Sequence, residues 1–466
     1  MSLLVSPPVS PPLSRRIFTL FCLALLACLP LRAAYAQRGQ QIIRDAEIES
    51  TIRTFVTPIW RVAGLDPEAV AIVIVQDNSI NAFVAGGQRI FINTGLLLRT
   101  QSPNQLVGVL AHESGHIAGG HLARMQEELN NLSTLQILET ILSAGAIAGG
   151  AVSGGTMGRG GPTGPGGKVA APGSLMSYLR YTQTQEASAD QAAIRFLQLS
   201  HQSPKGAVQF LHILEHEERM QLNAFNPYLT THPLTPDRIK TFEDAAAESP
   251  YANQPDPPAW IEMHKRMVAK LLGFISPATA LQRYPQSDQS VPARYARAIA
   301  LYRQGGLGSA LLIIDSLLKD HPNDPYFHEL KGQMLFDNGR AAEAVPEYRR
   351  AVQLSPANVI KIDFARALLE TNKPENDREA VRNLEIARQT ESDSFELWRL
   401  TAAGYAKLDN PGMTSLARAE MAIIRGNRAE AQAHAAAAER QLQAGTPAWQ
   451  RAEDIKAYIN SRPRKN

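Results

Sequence analysis

The sequence predicts a mainly α-helical protein in which an α+β domain with a small sheet is followed by an all-α repeat array. Three observations support this fold class. Residues 82–92 have the pattern of two short strands, residues 102–120 have the pattern of a helix with marked ends, and apolar positions after residue 300 recur every 34 residues. At 466 residues the chain has room for two or three domains, each with its own core. The net charge of +3 is too small to indicate nucleic acid binding.

The first 36 residues are predicted to be a signal peptide. A basic pair, Arg15-Arg16, precedes a short apolar run, and Ala34-Tyr35-Ala36 offers small residues for cleavage. The run is too short to span a membrane comfortably, so we expect a soluble protein of the periplasm. Cleavage after Ala36 removes both cysteines and leaves no disulfide. Two alternatives stay open: a lipoprotein with Cys28 as acceptor, and export by the twin-arginine route instead of the general secretory route.

The strand pattern lies in the α+β domain, which is predicted to cover residues 37–255. Two apolar triplets, residues 82–84 and residues 90–92, flank Gly86-Gly87. A glycine pair suits a tight turn that needs positive φ angles. We therefore expect a β-hairpin just before the helix.

The helix predicted at residues 102–120 carries the most informative motif of the chain. Ser102 can cap its first turn, a proline suits the first helical position, and a glycine pair closes it. His112 and His116 lie four residues apart on one face, where two imidazoles can bind one metal ion. Glu113 can accept the proton of a water molecule that zinc has acidified, which is the chemistry of peptide hydrolysis. The alternative is an ordinary helix with two surface histidines.

A catalytic zinc of this kind needs a third protein ligand, and two candidates exist. His121 is close to the spacing of a three-histidine motif but falls one residue early. Glu186 lies in an amphipathic segment four residues before Asp190, so the two carboxylates share a helical face. They could form a solvated acidic edge. Alternatively, Glu186 binds the metal while Asp190 orients a ligating histidine through its other ring nitrogen. The spacing favours Glu186.

These segments together resemble the M48 family of zinc metallopeptidases. The matching stretches are residues 81–97, residues 110–116 and residues 186–190. The resemblance implies a zincin-like metalloprotease domain with a small sheet beside the cleft. One departure is Ser114-Gly115, where family members often carry a bulkier residue. A glycine inside a helix costs about 1 kcal/mol relative to alanine.

The resemblance also implies a role for each residue of the motifs. Zinc, one ion per chain, would be bound by His112, His116 and Glu186. Glu113 would act as the catalytic acid and base. Asp190 would orient a ligating histidine through its other ring nitrogen.

A glycine-rich stretch at residues 143–173 separates the two ligand segments, and it cannot hold regular structure. The plain interpretation is a flexible surface loop. The alternative is a mobile lid near the cleft, whose apolar flanks touch substrate or make peripheral contact with a membrane. A phosphate-binding pattern is absent from this stretch.

Residues 231–239 are predicted to form a turn that enters a helix. Thr235 can cap this helix, and Pro236 suits its first position. Taken alone, His232 would be a loop histidine. In family members with a periplasmic protease domain and helical repeats, this histidine can occupy the fourth zinc position, so the resemblance implies a latent enzyme with His232 as a removable plug. Arg238 is a candidate support for the turn or for a bound peptide.

The last part of the chain, residues 280–466, is predicted to be a tetratricopeptide array, joined to the protease domain by a connecting helix at residues 256–279. Four positions recur at steps of 34 residues: Ala310, Ile314, Leu317 and Pro322 correspond to Ala344, Tyr348, Ala351 and Pro356. A third unit contains Ala380, Leu384 and Ala387, and a degenerate fourth ends near Ala438. Such arrays form concave protein-binding surfaces.

The predicted function is that of a periplasmic zinc endopeptidase. The resemblance implies that it degrades stalled or misassembled outer-membrane β-barrel proteins, aids the assembly of productive ones, and contacts the barrel assembly machinery or its clients through the repeats. The competing class is a non-proteolytic chaperone or scaffold with a latent zinc site, although a scaffold need not keep Glu113. A metal-storage module would need a second ligand cluster, which the sequence lacks.

Overall fold

The structure is a computed structural model that describes residues 41–121, 183–220 and 227–461. The predicted signal peptide (residues 1–36) and the glycine-rich stretch (143–173) lie outside the described residues. The described chain after residue 41 forms one compact unit. Within it, no helix combines the length and the apolar character needed to cross a membrane.

A four-stranded mixed sheet forms part of the N-terminal region. In chain order its strands are β1 (Ile42–Ile43), β2 (Ala71–Val75), β3 (Ala82–Ala85) and β4 (Arg89–Asn93). Their spatial order is β1-β2-β4-β3, with β2 parallel to β4 and β3 antiparallel to it. Gly86 and Gly87, in the turn between β3 and β4, have positive φ angles of 58° and 92°. The predicted hairpin is confirmed.

Eight helices accompany this sheet among the described residues. They are α1 (Ala46–Val62), α2 (Thr94–Arg99), α3 (Pro103–Ala118), α4 (Gln183–Leu199), α5 (Lys205–Met220), α6 (Pro227–Thr231), α7 (Pro236–Glu248) and α8 (Pro258–Ile275). The apolar residues of α3, among them Leu106, Val107 and Leu110, are buried in the core. For this reason α3 lies centrally and packs against α1, α4, α5 and β3.

The remaining described chain is helical throughout. After α9 (Pro277–Arg283) come α10 (Val291–Arg303), α11 (Leu307–Asp320), α12 (Pro325–Asp337), α13 (Ala341–Leu354), α14 (Asn358–Glu370), α15 (Pro374–Ala387), α16 (Phe395–Lys407), α17 (Pro411–Ile424), α18 (Arg428–Gln441) and α19 (Pro447–Ser461). The aligned repeat positions are buried between consecutive helices: Ala310, Ile314, Leu317, Ala344, Tyr348, Ala351, Ala380, Leu384 and Ala387. The predicted fold class is thus confirmed.

The end of the array differs from the predicted four units, because two helix pairs, α16 with α17 and α18 with α19, follow the third unit. Asp409, between α16 and α17, has a positive φ of 52°, as Asn372 has between α14 and α15 at 54°. Asp and Asn adopt this conformation more readily than other non-glycine residues, so the chain turns into α17 at this point. A single aspartate in the sequence does not predict such a turn.

Candidate metal centre

The ends of α3 follow the predicted pattern. Ser102 Oγ accepts a hydrogen bond from a backbone N–H of the first turn at 3.2 Å, and Pro103 is the first helical residue. Gly120, just beyond the last turn, has a φ of +61°. Between these ends, the segment with His112 and His116 is buried against α4 and α5.

Two glycines of α3 let its neighbours approach closely. A Cβ atom at Gly115 would lie 2.8 Å from the carbonyl oxygen of Ala189 on α4. A Cβ atom at Gly108 would lie 2.7 Å from the Cα atom of Ala207 on α5. Both separations are shorter than van der Waals contact, so only glycine permits this packing. The unusual Gly115 therefore has a structural reason: it brings the helix that carries Glu186 up to the two histidines.

Four buried side chains form one cluster of possible metal ligands: His112, His116, Glu186 and His232. One donor atom from each lies within 4.8 Å of the others. The Nε2 atoms of His112 and His116 are 3.0 Å apart, and His116 Nε2 lies 3.3 Å from Glu186 Oε1. His232 Nδ1 lies 2.9 Å from the same oxygen. The structure brings together segments separated by up to 120 residues of sequence.

This cluster fits a zinc ion. Ligand atoms that bind a tetrahedral zinc at 2.0 to 2.1 Å lie about 3.3 Å from one another, which is close to the observed separations. Imidazole and carboxylate groups are also donors that suit a divalent ion of this kind. Without a cation, three imidazoles and a carboxylate buried so closely would be an unusual arrangement.

Glu113 lies beside the cluster but has a different environment. It is fully buried, and neither of its oxygens accepts a hydrogen bond from the described residues. Its Oε1 atom lies 3.5 Å from His232 Nε2. Burial raises the pKa of Glu113 to about 8, although the neighbouring His112 acts in the opposite direction. A carboxyl group of this kind can hold a proton near neutral pH.

Asp190 and Arg238 lie outside the cluster and contact two of its residues, His112 and Glu186. Asp190 Oδ1 lies 2.8 Å from His112 Nδ1, the ring nitrogen that faces away from the cluster. Arg238 donates to both oxygens of Asp190, at 2.7 and 2.8 Å, and its Nη1 atom lies 2.7 Å from Glu186 Oε2. Burial alone would raise the pKa of Asp190, but the hydrogen bonds from Arg238 and His112 outweigh it and lower the pKa to about 2. Asp190 therefore stays ionised.

His232 is held by contacts on both sides of its turn. Its backbone N–H donates to the carbonyl of Tyr228 in α6 at 2.7 Å, and the two rings lie 4.7 Å apart. On the other side, Arg238 donates to the carbonyl of Pro233 at 3.0 Å. Thr235 caps α7, as predicted. Tyr228 was not singled out from the sequence, although its position four residues before His232 could have indicated that the two share a face.

His121 does not belong to the cluster of four. Its Nδ1 atom instead lies 2.9 Å from His116 Nδ1, on the side of that ring away from Glu186. Sequence reasoning considered His121 only as a metal ligand. The geometry of the helix end could have suggested the observed position.

Known proteins resemble this chain in both of its parts. Residues 43–246 match peptidase family M48, and residues 295–359 match the tetratricopeptide repeat. The chain is 25% identical over 387 residues to the beta-barrel assembly-enhancing protease of Escherichia coli strain K12. The aligned residues cover 80% of this chain and 75% of that protein. It is 25% identical over 366 residues to the putative beta-barrel assembly-enhancing protease of Vibrio cholerae serotype O1, with 76% and 72% covered.

A third relative, the beta-barrel assembly-enhancing protease of Yersinia pestis, is 24% identical over 371 residues, which cover 77% of this chain and 72% of that protein. The M48 match includes all four residues of the donor cluster. The chain therefore carries a metallopeptidase domain of family M48 followed by tetratricopeptide repeats.

Proposed function

We propose that the protein is a zinc endopeptidase in which His112, His116 and Glu186 bind one zinc ion. The buried donor cluster carries this proposal, because its spacing suits a tetrahedral ion. Two imidazoles and a carboxylate are a common ligand set of catalytic zinc sites. When bound, zinc would acidify a water molecule and polarise the carbonyl group of the scissile bond.

Glu113 is the proposed proton acceptor and donor of the reaction. Its oxygens are not engaged by other described residues and lie beside the cluster. It would take a proton from the attacking water and pass it to the leaving amine.

His232 is proposed to keep the enzyme latent. Its Nδ1 atom lies 2.9 Å from Glu186 and 3.3 Å from His112 Nε2, so it can fill a fourth position on the same ion. A catalytic zinc needs that position for water or substrate. Activation then requires the turn that carries His232 to move away.

Substrate binding offers a route to this movement. β3 is the edge strand of the described sheet, and an extended peptide can add to such an edge as a further strand. The short helix α6, which leads directly to His232, packs against β3. We propose that a peptide that pairs with β3 displaces α6 and so withdraws His232.

The proposed clients are outer-membrane β-barrel proteins that are stalled or misassembled in the periplasm. The names of the relatives support a role in barrel assembly, and the repeats supply a surface suited to protein partners. We propose that the repeats contact the clients or the barrel assembly machinery and that productive clients are aided instead of degraded. The alternative is a non-proteolytic chaperone. This alternative would hold if His232 never left the fourth position on the metal ion.

Two glutamate substitutions in the full chain test the proposed mechanism. Glu113→Gln should lower cleavage of a denatured barrel protein at least a hundredfold, the order of magnitude expected for a general base, while zinc content and the circular-dichroism spectrum stay unchanged. Glu186→Gln should weaken zinc binding at least about tenfold. Undiminished cleavage by a pure Glu113→Gln preparation would refute the mechanism, and full zinc occupancy in Glu186→Gln would refute the ligand assignment.

A further inference from the structure

We propose that His121 positions the metal ligand His116 by accepting a hydrogen bond from its Nδ1 atom. This inference rests on the zinc site proposed above. The two rings meet edge to face, with centroids 5.0 Å apart and planes inclined by 76°. Their Nδ1 atoms are 2.9 Å apart, which is a normal hydrogen-bond distance.

The backbone at the end of α3 brings these side chains together. The N–H of Gly120 donates to the carbonyl of Ile117 at 3.1 Å, and the N–H of His121 donates to the carbonyl of His116 at 3.2 Å. With the positive φ of Gly120, these bonds form a Schellman motif. In this motif, the side chain of the residue just beyond the helix end commonly packs against the side chain of the helical residue whose carbonyl accepts its N–H. In this chain those two residues are a histidine and a metal ligand.

Neighbouring residues hold His121 in this place. A Cβ atom at Gly119 would lie 2.5 Å from His121 Nε2, so glycine leaves the room that the ring occupies. The side-chain amide of Gln185 donates to the carbonyl of His121 at 3.1 Å. Because Gln185 precedes Glu186 on α4, this bond ties the end of α3 to the helix that carries the third ligand.

The direction of the hydrogen bond follows from ligand chemistry. His116 Nε2 faces the cluster, 3.3 Å from Glu186 Oε1. A neutral imidazole that binds a metal through Nε2 carries its proton on Nδ1. His116 Nδ1 is therefore the donor, and His121 Nδ1 is the acceptor. On the other histidine ligand of α3, Asp190 Oδ1 lies 2.8 Å from His112 Nδ1, so a polar group faces the outer nitrogen of each.

Two substitutions of similar shape separate hydrogen bonding from packing. Asparagine at position 121 places its amide oxygen near the site of the histidine Nδ1, whereas leucine has the same branching and no acceptor. We expect His121→Leu to weaken zinc affinity about tenfold and His121→Asn to stay within about twofold of the wild type, since loss of such a partner typically costs tenfold or more. Zinc affinity of the full chain is measured by competition with a chromophoric chelator. His212→Leu, at an exposed histidine, is the control and should leave affinity unchanged.

The result distinguishes this inference from the function on which it rests. Wild-type affinity in His121→Leu would overturn the inference. The same loss in the Leu and Asn variants would also overturn it, because packing alone would then explain the effect. If the wild-type chain binds no zinc at all, the failure belongs to the proposed function and not to the role of His121.

Discussion

At the residue scale, two buried glutamates of the metal centre differ in what surrounds their oxygens. Glu186 lies 2.7 Å from the cationic Arg238, 2.9 Å from His232 and 3.3 Å from His116, so a positive charge and two imidazole nitrogens surround it. Glu113 is equally buried but accepts no hydrogen bond from the described residues. A buried polar group without partners is costly and is typical of a functional site. The contrast supports a ligand role for Glu186 and a proton-transfer role for Glu113.

Replacement of His232 tests latency at the same scale. His232→Ala removes the proposed fourth donor and opens a position on the ion for water, while His112, His116 and Glu186 remain. We expect basal cleavage of casein, or self-cleavage, to rise severalfold or more, with zinc still bound. Rates of the purified wild type and variant are compared under the same conditions.

The control for this comparison adds Glu113→Gln to His232→Ala, which should remove the gained activity and so exclude a contaminating protease. A variant with equal or lower activity than the wild type would contradict latency. It would show that His232 is a structural turn residue or a group that assists catalysis.

At the element scale, local patterns predicted α3 well but not its environment. The cap at Ser102, the histidine spacing and the glycine end are all local features, and each is present in the structure. Spacing favoured Glu186 over His121 as the third ligand, and the family resemblance implied the same role. Spacing alone, however, does not say that α4 is the distant helix that packs on α3. The role of Gly115 could not be predicted either. A helical glycine appears in sequence only as a loss of helix propensity, whereas its benefit comes from contact with Ala189.

Alanine at position 115 tests whether this contact governs the packing of α3 on α4. Helix propensity alone predicts that Gly115→Ala stabilises the protein by about 1 kcal/mol. The structure predicts the opposite, a loss of about 1 to 3 kcal/mol, because the new methyl group would lie 2.8 Å from the carbonyl oxygen of Ala189. The free energy of unfolding is measured by urea denaturation, and zinc affinity should fall in parallel as Glu186 is displaced.

Gly308 in α11 provides the matched control, because a Cβ atom there would have no neighbour within 4 Å. Gly308→Ala should leave the free energy of unfolding unchanged or increase it. A stabilising effect of Gly115→Ala as large as that of Gly308→Ala would show that α3 and α4 can separate without cost.

At the scale of the whole molecule, the protease region and the repeats share a buried network of charges. Glu47, at the start of α1, lies 2.7 Å from Arg266 and 3.3 Å from Lys270 on α8. It also accepts a hydrogen bond from the hydroxyl of Tyr295 on α10 at 2.8 Å. The predicted connecting helix is therefore a packed interface element in the structure. A fragment that begins at residue 280 would lose these contacts.

Glu329 on α12 is the member of this network whose carboxyl group has the weakest stabilising contacts. It is 8% exposed and lines a cavity of about 390 Å³ between the array and the segment before α1. Lys270 Nζ lies 3.9 Å from its Oε2 atom, which is too long for a hydrogen bond. Burial raises the pKa of Glu329 to about 8, Lys270 acts against this, and the nearby Asp45 and Asp363 add to it. The folded protein therefore favours the neutral form of this carboxyl group.

This preference predicts how the stability of the whole molecule changes with pH. Between the ordinary pKa of 4.5 and about 8, the folded state keeps a proton on Glu329 that the unfolded state releases. The contribution of Glu329 is thus fully present below pH 4.5 and is lost as the pH rises to 8. Glu329→Gln removes this titration. The free energy of unfolding of the variant minus that of the wild type should therefore increase by on the order of 1 kcal/mol or more between pH 5 and pH 8.

Urea denaturation at both pH values measures the difference, with the exposed Glu370→Gln on α14 as control. A difference that is the same at both pH values would show that Glu329 is ionised in the folded protein and balanced by Lys270.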